Sequence, residues 1–463
     1  MPRDVKETAS RVAFHTFGCK ANQYDTERMR QEVEARGADT VADWAKARVV
    51  VVNTCTVTNQ ADAGARRFIR KVRREHPEAR IVVAGCSAAL RAPEYQAMEE
   101  TAGVVEGHDP SRVAQAVLPH LGRRDETPKL VQLGVRKRSL DRMDAEPVGA
   151  EILLRRDGGT RGWLKIQDGC DRKCAFCATR LARGESRSRP PDEVIREALT
   201  LARVHPELVL TGIHIGHYGM DLDSDLTLGR LLARLLDAVP DVRFRLGSVE
   251  ATEVDDLLLE LLVTSGGRVT PHLHMPLQSG ADPVLRRMRR WHTREMYRSR
   301  TLEILEATAA RGPTTSDGAP VLGLGADIIT GFPGETDEDH AQTVALVEEL
   351  PYTYLHVFPF SPREGTVAAQ LVEEMPVPQR VAGERSRDLR ERVQVKEEAY
   401  RRNRDGQRAQ VVLEGQGITG LTGDYLRVPV QQPAPQEQRR LHQGTLRWAQ
   451  GELTVSLDRK QVR

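Results

Sequence analysis

Short apolar runs, each followed by a helix-length stretch that ends at glycine or proline, recur along this chain, and that alternation leaves few architectures open. In the first 120 residues or so, runs at 12–17, 49–53 and 81–84 read as buried strands. The stretches 24–36, 61–76 and 93–101 read as helices, stopped at Gly37, Pro77 and near Gly103. A helical crossover returns the chain to the same end of the sheet, so the strands should run parallel in a small α/β domain.

The alternation resumes further on. Strand-like runs at 164–166, 208–211, 244–248, 272–275, 325–329 and 354–358 are separated by helical segments such as 192–204, 226–239 and 296–311. Repeated βα units of this length predict a barrel, and six strands predict an open, partial one. Between the two regions, residues 122–159 are polar and charge-rich and end on Gly158 and Gly159, which reads as a linker with one strand. Past Pro376 and Pro378 a long charged helix is expected over 379–402. The tail alternates at 410–413, 425–430 and 453–457, broken by Gly415, Gly417, Gly420 and Gly423, as in a small β-barrel. The expected organisation is an N-terminal α/β domain (1–121), a linker (122–155), a partial (β/α)6 barrel (156–378), a connecting helix (379–400) and a C-terminal β-barrel domain (401–463).

The formal net charge is +2 although 29% of the residues are charged, so affinity for an anionic partner has to come from local patches. The most basic part is 401–463, with ten Arg and one Lys against six Asp and Glu. No run approaches the roughly 20 apolar residues of a membrane span, and Met1-Pro2-Arg3-Asp4-Val5-Lys6 lacks the apolar stretch of a signal peptide, so a cytoplasmic protein is expected.

Six cysteines in 463 residues are too few for a disulfide framework. Cys170, Cys174 and Cys177 form a C-x3-C-x2-C run just past the first barrel strand. Three thiolates so spaced can hold a 4Fe-4S cluster and leave its fourth iron without a protein ligand. The amino and carboxylate groups of S-adenosylmethionine can chelate that iron before an electron cleaves the sulfonium bond. The alternative is structural zinc, which usually takes a fourth Cys or His. Phe176, within the motif, reads either as packing or as a shield for the cluster. Cys19, Cys55 and Cys86 are spread at about one βα repeat apart, each at a strand end, in Phe17-Gly18-Cys19, Asn53-Thr54-Cys55 and Ala84-Gly85-Cys86. A parallel sheet would bring all three to one edge, where they could hold a second cluster. The alternative is three buried core cysteines.

The cysteine run and its position resemble the radical S-adenosylmethionine superfamily. Leu210-Thr211-Gly212, Arg245-Leu246-Gly247-Ser248-Val249-Glu250, His274-Met275-Pro276-Leu277-Gln278-Ser279-Gly280 and Gly331-Phe332-Pro333-Gly334-Glu335-Thr336 agree with it. The resemblance implies cofactor contacts at Thr211 and Gly212, and at Ser248 and Gln278, although a strand-end Ser or Gln is also a common local cap. Gly247 departs from the serine usual there, which leaves Ser248 to make that contact.

With the strand-end cysteines, the chain resembles the methylthiotransferase family, in which such an N-terminal domain precedes a radical barrel and a C-terminal TRAM domain. Residues 16–27 (Thr-Phe-Gly-Cys-Lys-Ala-Asn-Gln-Tyr-Asp-Thr-Glu), 53–58 (Asn-Thr-Cys-Thr-Val-Thr) and 183–191 carry the resemblance, whereas Ser87-Ala88-Ala89-Leu90 lacks the Tyr-Ala-Gln often found after the third cysteine. The Asn-Gln-Tyr-Asp version is most similar to the branch acting on N6-threonylcarbamoyladenosine at position 37, beside the tRNA anticodon. Sister branches act on isopentenyladenosine in tRNA or on an aspartate of a small-subunit ribosomal protein, and they stay open. The resemblance implies two 4Fe-4S clusters, S-adenosylmethionine, hydrogen abstraction from adenine carbon 2, and sulfur supplied by the auxiliary cluster and methylated by a second S-adenosylmethionine. The implied partners are the tRNA anticodon stem-loop, a reducing protein such as flavodoxin or ferredoxin, and a sulfur donor; a monomer with no membrane partner is expected. Tyr425 and Trp448 could stack bases if they are not core, and Arg183, Arg187 and Arg189 could meet phosphates if they are not simply solvated. A rival from another class is a non-catalytic iron-sulfur RNA-binding sensor.

Overall fold

The structure is a computed structural model that describes residues 10–57, 59–121, 131–133, 152–222, 225–431 and 440–458. It divides into two compact units: one runs to Asp157 and includes Asp168–Arg172 and Cys177–Arg187, and the other holds Gly158–Gln167, Lys173–Phe176 and everything from Ser188 on.

In the first unit the order is β1 (Arg11–Thr16), α1 (Lys20–Ala35), β2 (Asp39–Thr40), β3 (Val49–Thr54), α2 (Asn59–Glu75), β4 (Arg80–Gly85), α3 (Cys86–Leu90), α4 (Ala92–Gln96), β5 (Thr101–Val105), α5 (Pro110–Val117) and β6 (Val131–Leu133). The strands form one parallel sheet in the order β2-β1-β3-β4-β5-β6. Four successive valines, Val49 to Val52, are wholly buried, as expected of a strand covered on both faces. Val49 and Val51 face a core with Met29, Val33 and Val113, whereas Val50 and Val52 face Ile69, Val72 and Tyr95.

Two expectations shift here. Helix α1 begins at Lys20 rather than 24, because Asn22 anchors its first turn by donating to the carbonyls of Phe17 (2.8 Å) and Thr54 (2.9 Å). The helix read over 93–101 stops at Gln96, and Thr101-Ala102-Gly103-Val104-Val105 is a strand, its β-branched residues outweighing the glycine that reads as a stop. The strand anticipated in the linker is β6, on the edge of this sheet; the rest of 122–151 lies outside the described residues. Helix α6 (Thr179–Arg183) also belongs to this unit.

The second unit carries all six expected barrel strands: β7 (Gly162–Lys165), β8 (Glu207–Thr211), β9 (Arg243–Leu246), β10 (His272–His274), β11 (Gly323–Thr330) and β12 (Tyr354–Pro359). They are parallel in two three-stranded sheets, β9-β8-β7 and β10-β11-β12, joined by a bridge between Ser248 and His274. The result is an open six-stranded partial barrel. Its helices include α7 (Pro191–Ala202), α8 (Leu228–Ala238), α9 (Asp256–Thr264), α10 (Arg294–Arg311) and α11 (Asp337–Glu349), followed by the long α12 (Gln379–Asn403).

The tail holds β13 (Arg408–Glu414), β14 (Thr419–Thr422), β15 (Arg427–Pro429), β16 (Leu441–Ala449) and β17 (Glu452–Leu457). It is a curled antiparallel sheet, a half-barrel in the order β15-β14-β13-β16-β17, with a bridge from Val430 to Val455. Gly420 sits within β14 rather than breaking it, with a would-be Cβ only 3.3 Å from Val455. Buried Arg243 and Arg245 tie the tail to the barrel by donating to the carbonyls of Gln410, Leu421, Thr422 and Gly423. Both arginines pair with wholly buried Glu207, at 2.5 and 2.9 Å. Among the described residues no helix is long and apolar enough to cross a membrane.

Candidate functional site

Cys19, Cys55 and Cys86 stand at the C-terminal ends of β1, β3 and β4, three neighbouring strands of the first unit. Two glycines make this possible. Gly18, at φ +98°, would place a Cβ 2.3 Å from Cys55 Sγ, and Gly85, at φ +100°, would place one 2.3 Å from Asn53 Oδ1 and 2.4 Å from the Thr54 carbonyl. Cys19 stands at the N-cap position of α1. Cys55 Sγ accepts the Val57 N–H at 3.3 Å, and Cys86 Sγ accepts Nε of Arg183 at 3.1 Å. Burial pushes the Cys86 thiol up to about 12 and Cys55 upward as well, against the pull of Arg183 on both. Cys19 adds its charge to both, and Cys55 to Cys86, so the three sulfurs lie within electrostatic reach of one another. Three clustered thiols, of which Cys55 and Cys86 accept N–H bonds, suit a soft, sulfide-bridged iron cluster, whose binding would displace the thiol protons.

The C-x3-C-x2-C loop follows β7. Gly169 opens it at φ +69°, where a Cβ would sit 1.7 Å from the Glu185 carbonyl, and the Cys170 N–H donates to the Gly184 carbonyl at 3.2 Å. In the second unit the Ala175 N–H donates to Met288 O and the Ala175 carbonyl accepts from Ala368 N–H, at 2.9 and 2.8 Å. Phe176 packs, partly buried, against a core that includes Ala281, Val284, Met288 and Phe332. Arg290, its side chain 4% exposed, donates from Nη1 to Cys174 Sγ at 3.6 Å and from Nη2 to Glu250 at 2.5 Å.

The expected cofactor contacts all lie at the C-terminal ends of barrel strands. Thr211 closes β8, its carbonyl accepting the Ile166 N–H, and Gly212 would drive a Cβ to 2.8 Å from the Gln167 carbonyl. Gln167 Oε1 accepts the N–H groups of Ile213 and His214, at 3.0 and 2.8 Å, and shapes the loop after Gly212. Ser248 is exposed at its bridge to His274. Gln278 is buried at φ +68°, in the left-handed region sparsely used by non-glycine residues, and exchanges backbone hydrogen bonds with Asp327 and Ile329. Gly247 has a reason to depart from serine: its Cβ would meet the Leu210 carbonyl at 2.9 Å.

Sequence reasoning missed a polar row on one face of β10-β11-β12. Asp327 accepts from His274 Nε2 at 3.1 Å and His356 Nδ1 at 3.2 Å, and Tyr354 Oη bonds His272 and His274 at 2.8 and 3.0 Å. Burial works against the Asp327 carboxylate, yet the two imidazoles hold it well below the usual range. Gly325 leaves room for the Tyr354 ring, which a Cβ would strike at 2.0 Å. His356 and Phe358 remain about half exposed on this face, at 53% and 39%. The available signal was period-2 alternation, with His272, His274, Tyr354, His356 and Phe358 on one face and Leu273, Leu355 and Val357 on the other.

The arginines read as phosphate partners or solvated charges divide differently. Arg183 and Arg189 are wholly buried in internal pairs: Arg189 bonds the Lys165 carbonyl (2.8 Å) and Glu197 (2.9 Å). Arg187 is part-buried and reaches the Arg183 carbonyl at 3.4 Å. Tyr425 stacks on His272 with centroids 4.3 Å apart beneath Arg245, so the barrel already occupies that ring. Trp448 packs partly buried against the tail's core, with Arg402 over its ring.

Residues 11–107 match the uncharacterized protein family UPF0004, and residues 164–347 match the Radical SAM superfamily. The threonylcarbamoyladenosine tRNA methylthiotransferase MtaB of Rickettsia prowazekii (strain Madrid E) is 34% identical, over 87% of this chain and 87% of its own length. The chain belongs to the radical SAM tRNA methylthiotransferase family. MtaB of Bacillus subtilis (strain 168) is 37% identical over 79% of this chain and 76% of its own length. The radical S-adenosylmethionine methyltransferase TsrM of Kitasatospora setae shares the fold, with a TM-score of 0.55 at 16% identity over 79% of this chain and 78% of its own. Members of this family carry two 4Fe-4S clusters and use S-adenosylmethionine, and the two cysteine sets fit that pair of clusters.

Proposed function

We propose that this chain converts N6-threonylcarbamoyladenosine at position 37 of tRNA to its 2-methylthio derivative. The observation that carries the reading is the pairing of two cysteine sets: Cys170, Cys174 and Cys177 past the first barrel strand, and Cys19, Cys55 and Cys86 at three adjacent strand ends. The names of the relatives support the nucleoside. Cys170, Cys174 and Cys177 hold the barrel cluster, and Thr211, Gly212, Ser248 and Gln278 orient S-adenosylmethionine beside it. Cys19, Cys55 and Cys86 hold the auxiliary cluster. Together the bound groups supply a carbon-centred radical that removes hydrogen from adenine carbon 2, and the sulfur and methyl that replace it.

The chain's own contribution is placement. Gly247 and Gly212 keep side chains away from the strand ends, Ser248 offers an exposed hydroxyl, and the half-exposed His356 and Phe358 face an adenine entering the barrel. The basic half-barrel of 401–463 holds the anticodon stem-loop through phosphate contacts. The protein works as a cytoplasmic monomer, with electrons from a protein of the flavodoxin or ferredoxin class and a separate sulfur donor.

Nucleoside mass spectrometry on tRNA from a deletion strain tests this. Loss of 2-methylthio-N6-threonylcarbamoyladenosine is expected; unchanged nucleosides would overturn the tRNA reading, and loss of the methylthiolated isopentenyl nucleoside alone would move the substrate to the sister branch.

A further inference from the structure

Arg183 ends α6, six residues beyond Cys177, and its side chain is wholly buried. Every nitrogen is engaged. Nε donates to Cys86 Sγ at 3.1 Å, Nη1 to Asp168 Oδ1 at 2.8 Å, and Nη2 to Asn22 Oδ1 at 3.0 Å and Asp25 Oδ2 at 2.7 Å. Asp168 is steadied in turn by His108 Nε2 at 3.1 Å and by the Gly169 N–H at 2.9 Å. Asn22 is fixed through the carbonyls of Phe17 and Thr54, which precede Cys19 and Cys55 in the two neighbouring loops.

A guanidinium has a rigid planar fork of donors, so two carboxylates gripping its terminal nitrogens fix where Nε–H points. Here it points at a sulfur. Retaining a buried cation requires compensating anions, and a site built with two aspartates, an amide and a cysteine sulfur offers more negative charge than a simple ion pair needs. Hydrogen bonds to cluster sulfurs and buried charge nearby are the means by which a protein sets a cluster's reduction potential.

We infer that Arg183 is a positioning residue for the auxiliary cluster: its Nε–H fixes Cys86 Sγ as a ligand, and its buried charge sets the potential at which that cluster accepts an electron. The inference rests on the reading of Cys19, Cys55 and Cys86 as a cluster site. It makes the auxiliary site depend on Asp168 and Arg183, in the segments Asp168–Arg172 and Cys177–Arg187 that also carry Cys170 and Cys177. A positive charge beside the cluster favours its one-electron-reduced form, so loss of that charge makes reduction harder, and loss of a neighbouring anion makes it easier.

The test uses the full chain with Cys170, Cys174 and Cys177 changed to Ala, reconstituted anaerobically with iron and sulfide. The readouts are iron per chain and a dye-mediated titration with dithionite followed by electron paramagnetic resonance. In that background Arg183→Lys, which keeps the charge and can still meet Asp25 and Asp168, should retain the cluster with a midpoint shifted to more negative potential. Arg183→Gln should shift it further or lose more than half the iron. Asp25→Asn, which leaves Arg183 in place with one anion fewer, should shift it the opposite way. A purely structural role would lower iron content in all three without opposed shifts. Full iron with an unchanged midpoint in Arg183→Lys and Arg183→Gln overturns the inference. If the parent triple variant takes up no more iron than a chain lacking all six cysteines, the reading of a second cluster fails instead.

Discussion

Arg290 Nη1 lies 3.6 Å from Cys174 Sγ, while Nη2 of the same guanidinium is held by Glu250 at 2.5 Å. Its plane lies over the Trp291 ring, 4.1 Å from the centroid, so carboxylate and indole together aim it at the cysteine. Each cysteine set therefore has a sulfur that accepts a hydrogen bond from a buried arginine. Arg290→Leu removes the donor and leaves Glu250 in a buried position, and we expect reduced iron retention in the barrel set with a lower yield of 5′-deoxyadenosine per chain. Iron assay and chromatography of the product check it; wild-type iron and yield would show the contact to be incidental.

The two sets are expected to divide the labour. Cys174→Ala should abolish 5′-deoxyadenosine formation, whereas Cys55→Ala should preserve it and stop methylthiolation of tRNA. Product chromatography and nucleoside mass spectrometry read the two steps separately, and equal loss of both products in both variants would refute the division.

Gly85→Ala tests how tightly the strand ends are drawn together. The backbone there has φ +100° and the added methyl would meet Asn53 Oδ1 and the Thr54 carbonyl below 2.5 Å. A destabilisation of about 2–3 kcal/mol is expected from backbone strain and overlap, with loss of iron from the N-terminal set. Denaturant unfolding checks the first expectation, and a change under about 0.5 kcal/mol would contradict the geometry.

Glu207 predicts an acid limit for the second unit. Burial alone would raise its carboxyl, but Arg243, Arg245 and Arg161 hold it far below the ordinary range. A depressed folded value contributes stability above the ordinary carboxyl pKa and loses it as pH falls, so stability should decline from about pH 5 downward. Glu207→Gln should cost about 3–5 kcal/mol, because three arginines lose their buried counter-charge, and should flatten that decline. Thermal unfolding of both proteins between pH 3 and 7 measures the difference; parallel curves would rule Glu207 out.

His356→Ala and Phe358→Ala remove half-exposed groups from the polar face of β10-β11-β12. Stability should change by less than about 1 kcal/mol, while KM for an anticodon stem-loop rises several-fold and RNA-independent cleavage of S-adenosylmethionine stays near wild type. Steady-state kinetics with and without RNA tests this. An unchanged KM would place the adenine elsewhere.

What the sequence determined by itself was everything written in local periodicity and spacing. The valine run of β3, the six barrel strands and the long helix α12 are legible because a strand or helix buried by its neighbours needs an apolar pattern of matching period. The cysteine positions were legible for the same reason, since a thiol just past each strand of a parallel sheet lands on one edge whatever the details of packing. Only the tertiary structure decided where the long polar side chains end. Arg183 and Arg189 read as phosphate contacts or solvated charges, yet both are wholly buried, because their partners Asp25, Asp168 and Glu197 lie up to 158 residues away in the chain. Tyr425 likewise was open to two readings, core or a base-stacking ring, and the barrel decided between them by supplying His272 and Arg245. A buried charge takes its meaning from the groups that neutralise it, and these are gathered by the fold rather than by proximity in sequence.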